Sequence, residues 1–317
     1  SDIDHTEEQG CLGHADSRLL TRRALERGKD QLGTLGSGNH FLEIGMVDQV
    51  YDPGIARAYG LFKNQVTVML HSGSRGLGYQ VCDDSLKQML KEAHPLKFKL
   101  PDRQLAFAPL ESSPGRAYLK AMACAANYAW ANRQVLMHHA EQVILKSLSM
   151  GPASLGLRLV WDVCHNIAKK ETHMVAGKKQ VLCVHRKGAT RAFGPGHPSL
   201  CPEYRDTGQP IIIPGDMGTA SYVLVGTEAA MHETFGSTCH GAGRVLSRKA
   251  AKKQSRGRQI HQELADQGVT VRWTGRGTLA EEMPEAYKDI ESVVGVVHQA
   301  GISRKVARLK PLVVVKG

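Results

Sequence analysis

The segment His240-Gly241-Ala242-Gly243-Arg244 combines a nucleophile with the elements of an anion site. Glycines let the backbone approach an anion closely, and an imidazole can attack phosphorus to form a covalent intermediate. A histidine in a glycine turn also serves as a plain structural residue, so this run alone leaves both readings open. Three more histidines stand in comparable settings: His40 after Gly38-Asn39, His71 before Ser72-Gly73, and His165 between Cys164 and Asn166. Neutral imidazole is a borderline metal ligand suited to a divalent ion, and any one of these could equally be a hydrogen-bonded structural residue. Together, each flanked by Gly, Asn or Ser, they favour one composite site. Cationic residues recur at an offset of four, in His71/Arg75, Lys187/Arg191 and His240/Arg244. Guanidinium groups bind phosphate oxygens bidentately. Where a turn opens a helix, that offset puts both side chains on one face. No GxxxxGK[ST] phosphate loop is present, which argues against a common NTPase.

The elements that must position these groups follow from hydrophobic pattern. Helices are expected over Leu19–Arg27, Val81–Ala93 and Ile290–Gln299, with a long helix or helical pair over Ala117–Leu148. Arg244–Lys253 is expected to continue from the His240 turn as a helix. Strands are expected over Phe41–Met46, Val66–Leu70, Leu157–Val163 and Gln180–Val184, while Gln209–Pro214 and Ser221–Gly226 flank a turn at Gly215–Gly218 and the chain ends through Leu312–Val315. In that reading Leu157–Val163 delivers His165 at its end. His138 and His139 lie on the long helix and read as surface residues. The order is too irregular for a TIM barrel or a simple Rossmann fold. It suits an α/β or α+β enzyme with functional groups on loops at strand ends.

Bulk properties are those of a globular chain of 317 residues, 42% hydrophobic and 22% charged. No apolar run is long enough to cross a membrane, and the start shows no secretory signal. The net charge of +11 favours an anionic partner, nucleic acid or substrate phosphate. Arg248, Lys249, Lys252, Lys253 and Arg256 form a run without acidic residues, which also fits a solvated helix face. Seven cysteines without a CxxC pair argue against disulfides and zinc ribbons and for the cytoplasm.

Several longer motifs make the pattern specific. GTLGSGNHFLE at 33–43 resembles a signature of the RtcB family of RNA-splicing ligases. HSGSRGLG at 71–78, CHN at 164–166, HRKGATRAF at 185–193 and PGDMGTASY at 214–222 extend the resemblance. CHGAGR at 239–244, MPEAYKD at 283–289 and the terminal Val315-Lys316-Gly317 complete it over nearly the whole chain. The resemblance implies an RtcB-like α/β (α+β) fold, with mixed sheets and helices around a central cleft, and one catalytic domain over residues 1–317. It implies GTP- and Mn²⁺-dependent joining of RNA 2′,3′-cyclic phosphate or 3′-phosphate ends to 5′-hydroxyl ends, through a covalent histidine–GMP species.

By motif, the resemblance makes His240 the guanylylated nucleophile and His40, His71 and His165 the manganese ligands. Asn39, Asn166, Ser221 and the backbone of Gly241, Ala242 and Gly243 would surround GMP. Glu43 would select guanine, Tyr287 would border the base, and Lys316 would reach the nucleotide. Arg75, Lys187, Arg191 and Arg244 would hold phosphates of RNA or GTP. Broken RNA or tRNA halves are the implied substrates, with an archease-type activator in some relatives. Two departures stand out. Family members carry an upstream D-x-G-C-G-M-like metal segment that this sequence lacks, and the contexts of Asp4 and Cys11 do not replace it. An N-terminally truncated chain is the expectation; an impaired homologue that only binds RNA ends or guanine nucleotide, or a metal-dependent cyclic-phosphate hydrolase, is the alternative. Asp216 stands where a small hydroxyl residue is expected, which leaves its contact to the nucleotide open.

Overall fold

The computed structural model describes residues 1–93, 100–275 and 277–317. The chain divides into two compact units. The larger comprises Ser1–Glu7, Leu35–His71 and Arg158–Gly317. Its strands are β1 (Phe41–Val50), β2 (Val66–His71), β3 (Asn166–Val175), β4 (Lys178–Lys187) and β5 (Ala189–Arg191), followed by β6 (Pro210–Ile213), β7 (Ser221–Gly226), β8 (Ser237–Cys239), β9 (Thr270–Trp273) and β10 (Ser303–Lys316). The main sheet has the order β2-β1-β10-β7-β6, antiparallel throughout, with β9 added in parallel to the end of β10. β3 and β4 form a hairpin, and β5 pairs with β8.

Period-two patterning sets which groups face inward. Along β1 burial alternates, so Phe41, Glu43 and Val47 share the inner face. Glu43 sits opposite Val314 on β10 and opposite Met69 on β2. A carboxylate is thus fixed in an apolar layer by the same register that buries Phe41, Met69 and Val314. The C-terminal end of β10 also closes tightly on the glycine loop before β1. A Cβ on Gly317 would lie 2.6 Å from the carbonyl oxygen of Gly36, so a side chain there would displace the backbone.

The smaller unit comprises Glu8–Thr34 and Ser72–Leu157 and is helical. Helices Arg22–Gly28, Arg75–Ala93 and Ser113–Leu148 bury Ala24, Leu77, Val81, Ala121 and Ala125 together. Ser112 caps the long helix by accepting from the Gly115 N–H, with Pro114 in its first turn. Buried Asn132 on that helix accepts from the N–H groups of Gly33 and Thr34 and donates to Ser72 Oγ. Among the described residues no helix is long and apolar enough to cross a membrane.

The mixed helices and antiparallel sheets fit the α/β (α+β) expectation, and the 36-residue helix Ser113–Leu148 is single rather than a pair. Other expectations need correction. Leu157–Val163 is not a strand; Asp162 makes one isolated bridge with Thr6, and the strand begins at Asn166. His165 therefore precedes a strand rather than ending one. The helix expected from Arg244 starts at Arg248, where Ser247 supplies the N-cap acceptor that residues 241–246 lack. Helix Arg75–Ala93 begins six residues before the expected Val81. The helical reading of the offset of four consequently fails. Arg244 is outside any helix, and Lys187 and Arg191 lie on two strands separated by Gly188 at φ +65°.

Candidate active site

Each of the four histidines stands at the border of a strand. His40 directly precedes β1, His71 ends β2, His165 precedes β3 and His240 follows β8. Pairing of Phe41 with His71 brings the first two to one edge of the sheet. The imidazole of His71 lies 5.8 Å from that of His40, 5.0 Å from that of His165 and 5.2 Å from that of His240, centroid to centroid. His165 and His240 stack at 3.6 Å. Ligand atoms of His71, His165 and His240 all lie within 4.8 Å of one another. The tightest trio therefore includes His240, with His40 beside it.

Burial, the neighbouring imidazoles and Lys316 push the His71 pKa well below the ordinary value. Burial, aided by Lys187, lowers that of His240 to about 4. Both rings are neutral at pH 7 and carry a lone pair. Both ring nitrogens of His240 are buried and have no hydrogen-bond partner, a state that normally costs free energy. Neutral, converging imidazoles with orphaned nitrogens fit a borderline divalent cation. Cys164 and Cys239 do not add to the donor set; burial raises the thiol pKa of Cys239.

A cavity opens beside the histidines. Asn39, Glu43, His71, Asp216, His240, Gly241, Ala242, Gly243, Arg244, Tyr287 and Lys316 line it, all singled out from the sequence. Gly243 adopts φ +77°, a conformation that side-chain-bearing residues rarely take, and so re-aims the chain after His240. Burial, reinforced by Asp216, raises the Glu43 pKa to about 8. Burial lowers that of Lys316 to about 8, against the opposing pull of Glu282. Asp216 is committed to its own turn: Oδ1 accepts from the N–H groups of Gly218 and Thr219, and Oδ2 from Thr219 Oγ1. Ser221 Oγ accepts from the Gly215 N–H and pins the same turn.

The remaining predicted residues stand elsewhere. Asn166 is exposed at the start of β3, opposite Lys187 at the end of β4. Arg191 is buried in the wall, where its Nε donates to Gln209 and lies 3.7 Å from Glu7. Arg75 belongs to the smaller unit and donates to Thr34 Oγ1. Arg244, which also lines the cavity, acts as a brace. It donates to Tyr287 Oη and to the Glu281 carbonyl, and its guanidinium lies 4.9 Å from the centre of the Tyr287 ring.

Sequence reasoning missed Glu282. Buried at 1% exposure, it pairs with Arg244 at 3.2 Å and with Arg248 at 3.6 Å, and accepts from the Tyr287 hydroxyl. The only signal was an acidic pair, Glu281-Glu282, ahead of the MPEAYKD run. The basic helix Arg248–Gln254 is partly neutralised by the same pair, since Lys252 meets Glu281 at 2.5 Å. A second missed group is Glu7. Its buried carboxylate accepts from Lys169 at 2.5 Å and from the Cys164 N–H at 2.8 Å, anchoring the backbone that presents His165.

A family model described as tRNA-splicing ligase RtcB matches residues 1–317. The tRNA-splicing ligase RtcB of Archaeoglobus fulgidus is 56% identical over 316 residues, covering 100% of this chain and 66% of that protein. Those of Pyrococcus abyssi and Methanocaldococcus jannaschii are each 53% identical over 316 residues, covering 100% of this chain and 34% and 33% of the relatives. The chain thus spans from about one third to just under two thirds of the length of these curated relatives.

Proposed function

The chain belongs to the tRNA-splicing ligase RtcB family, and from that premise we propose that it carries the catalytic centre of an RNA ligase. The reaction is the joining of RNA 2′,3′-cyclic phosphate or 3′-phosphate ends to 5′-hydroxyl ends, with GTP as co-substrate. The observation that carries this reading is the buried, neutral and unpartnered imidazole of His240 at the wall of a cavity lined by Gly241–Gly243. A nitrogen of His240 attacks the α-phosphorus of GTP; a P–N bond forms, the bond to the β-phosphate oxygen breaks, and pyrophosphate leaves. GMP then passes to the RNA 3′-phosphate as a mixed anhydride, and the 5′-hydroxyl displaces it. A cyclic phosphate is first opened by water.

His40, His71 and His165 are the proposed manganese ligands, and a bound divalent cation would offset negative charge on the triphosphate. Glu43 faces the guanine edge, where its carboxyl, protonated in the free protein, gives up that proton to accept from ring N–H groups and rejects adenine. Asn39, Asn166, Ser221 and Tyr287 border the nucleotide, and Lys316 meets its phosphates. Asp216 shapes the turn and tunes Glu43. Lys187, Arg191 and Arg244, and separately Arg75 in the smaller unit, are each proposed to bind phosphates.

The experiment is incubation with labelled GTP and Mn²⁺. An acid-labile, alkali-stable protein adduct is expected, and it disappears in His240→Ala. An adduct that persists in that variant rules out His240 as the nucleophile.

A further inference from the structure

Among the described residues the β3–β4 hairpin forms a two-stranded sheet of its own, and it presents two dissimilar faces. Its inner face is buried and charge-compensated: Arg186 meets Glu171 at 2.6 Å, and Lys169 meets Glu7. On the outer face the register places Asn166 opposite Lys187, Lys170 opposite Cys183, Thr172 opposite Val181, and Met174 opposite Lys179. His185 stands between Lys187 and Cys183 on the same face. None of the hairpin's own residues on this face is acidic, and Lys170, Lys179, His185 and Lys187 are exposed on it. Val181 is 68% exposed and Met174 49%, so apolar area alternates with positive charge.

One end of this face joins the histidine site. Lys187 is followed by Gly188, which lines the cavity and whose carbonyl accepts from the His240 N–H at 3.3 Å. From Lys187 to Lys179 the strand runs outward for about 27 Å at the usual rise per residue. That length suits a segment of roughly four nucleotides, the lower end for a basic groove that follows a single strand.

We propose that the outer face of the β3–β4 hairpin is a track for the RNA strand that ends in the 3′-phosphate. Its lysines hold successive backbone phosphates, and Val181 and Met174 lie under the bases. The proposal rests on the RNA-ligase reading and adds a binding surface to it. With lysines as its charged groups, the contact is mainly electrostatic and depends little on sequence.

The test is the double variant Lys170→Ala/Lys179→Ala in the full chain, compared with the parent by fluorescence anisotropy. Probes are a 3′-phosphorylated single strand of about ten nucleotides, a 3′-phosphorylated dinucleotide, and a 5′-hydroxyl strand with a blocked 3′ end. The long 3′-phosphate strand is expected to bind about tenfold more weakly at physiological salt. The slope of log affinity against log salt should fall by about 1.4, at roughly 0.7 per phosphate contact. The dinucleotide should bind as it does to the parent, and labelling of His240 by GTP should be unchanged. Equal affinity and salt slope for the long strand, or a loss confined to the 5′-hydroxyl strand, overturns the proposal. Absence of GTP labelling in the parent would instead refute the ligase reading and leave the binding comparison readable.

Discussion

The rings of His165 and His240 lie face to face, with centroids 3.6 Å apart and planes within 8° of parallel. Two imidazoles are thereby held edge-on to His71, whose ring meets them at 70° and 76°. This arrangement aims lone pairs at one point. Stacking fixes the orientation of the proposed nucleophile, which has no hydrogen bond to do so. His165→Ala and His71→Ala are each expected to lower divalent-metal affinity by at least about tenfold, a typical cost for disturbing metal-site support. Metal titration by calorimetry checks this, and unchanged affinity in both variants would remove His71 and His165 as metal ligands.

Glu43 ties stability to pH. Its folded-state pKa of about 8 stands above the ordinary 4.5, so the folded protein binds this proton more tightly than the unfolded chain does. Stabilisation from the neutral carboxyl is complete below pH 4.5 and is lost as pH rises through 8. The stability of Glu43→Gln relative to the parent is therefore expected to improve steadily across that window. Urea denaturation at a series of pH values measures it; a flat difference contradicts a buried, proton-holding carboxyl.

Asp216 should act on Glu43 through charge. Asp216→Asn keeps an oxygen for the turn and removes the negative charge, so the Glu43 pKa is expected to move down. Titration of the Glu43 carboxyl by carbon-detected NMR reads the shift directly, and no movement would sever the link between the two carboxyls.

The Glu282 carboxylate orders Arg244 and Tyr287 at the cavity wall. Glu282→Gln removes the ion pairs with Arg244 and Arg248 and the charge behind the Tyr287 hydrogen bond, a charge-assisted bond worth about 1.5–3 kcal/mol, so GTP is expected to bind roughly tenfold or more weakly. Tyr287→Phe, which keeps the ring, should cost less. Equilibrium binding of a non-hydrolysable GTP analogue tests the ranking, and equal losses would argue that the ring does not contact the nucleotide.

Glu7 and Lys169 form a fully buried pair. Burial opposes ionisation of Glu7, but Lys169 and Arg191 overcome it and bring its pKa to about 2. Glu7→Gln leaves Lys169 without its closest counter-charge and is expected to cost about 3–5 kcal/mol. Because the folded pKa is depressed from 4.5, the difference from the parent is full above pH 4.5 and shrinks as pH falls through 2. Chemical denaturation across that range follows it, and a difference independent of pH would exclude the carboxylate charge as the cause.

Much of the site was legible because its parts are local. The Gly241–Gly243 run announces a backbone able to approach an anion, and the extended Phe41–Met46 and the β-branched apolar run Val66–Leu70 announce strands bordered by histidines. What stayed hidden depended on partners remote in sequence. Glu7 gains meaning only from Lys169 and Cys164, more than 150 residues away, and Glu282 only from the return of the chain to Arg244. Leu157–Val163 has the apolar pattern of a strand, but apart from the single Asp162 bridge it finds no ladder to join, and strand formation requires one.

By itself the sequence determined the chemical inventory: four histidines in glycine-, serine- and asparagine-rich settings, a basic surplus, and the motif order that marks the family. Only the tertiary structure decided which of these groups converge. It joined His240 to His71 and His165, turned Arg191 into the wall, and left Asp216 bonded within its own turn. The reason is physical. Residue type and local period fix what a side chain can do and which way its element faces, whereas strand register and burial fix its neighbours, and the neighbours set its charge.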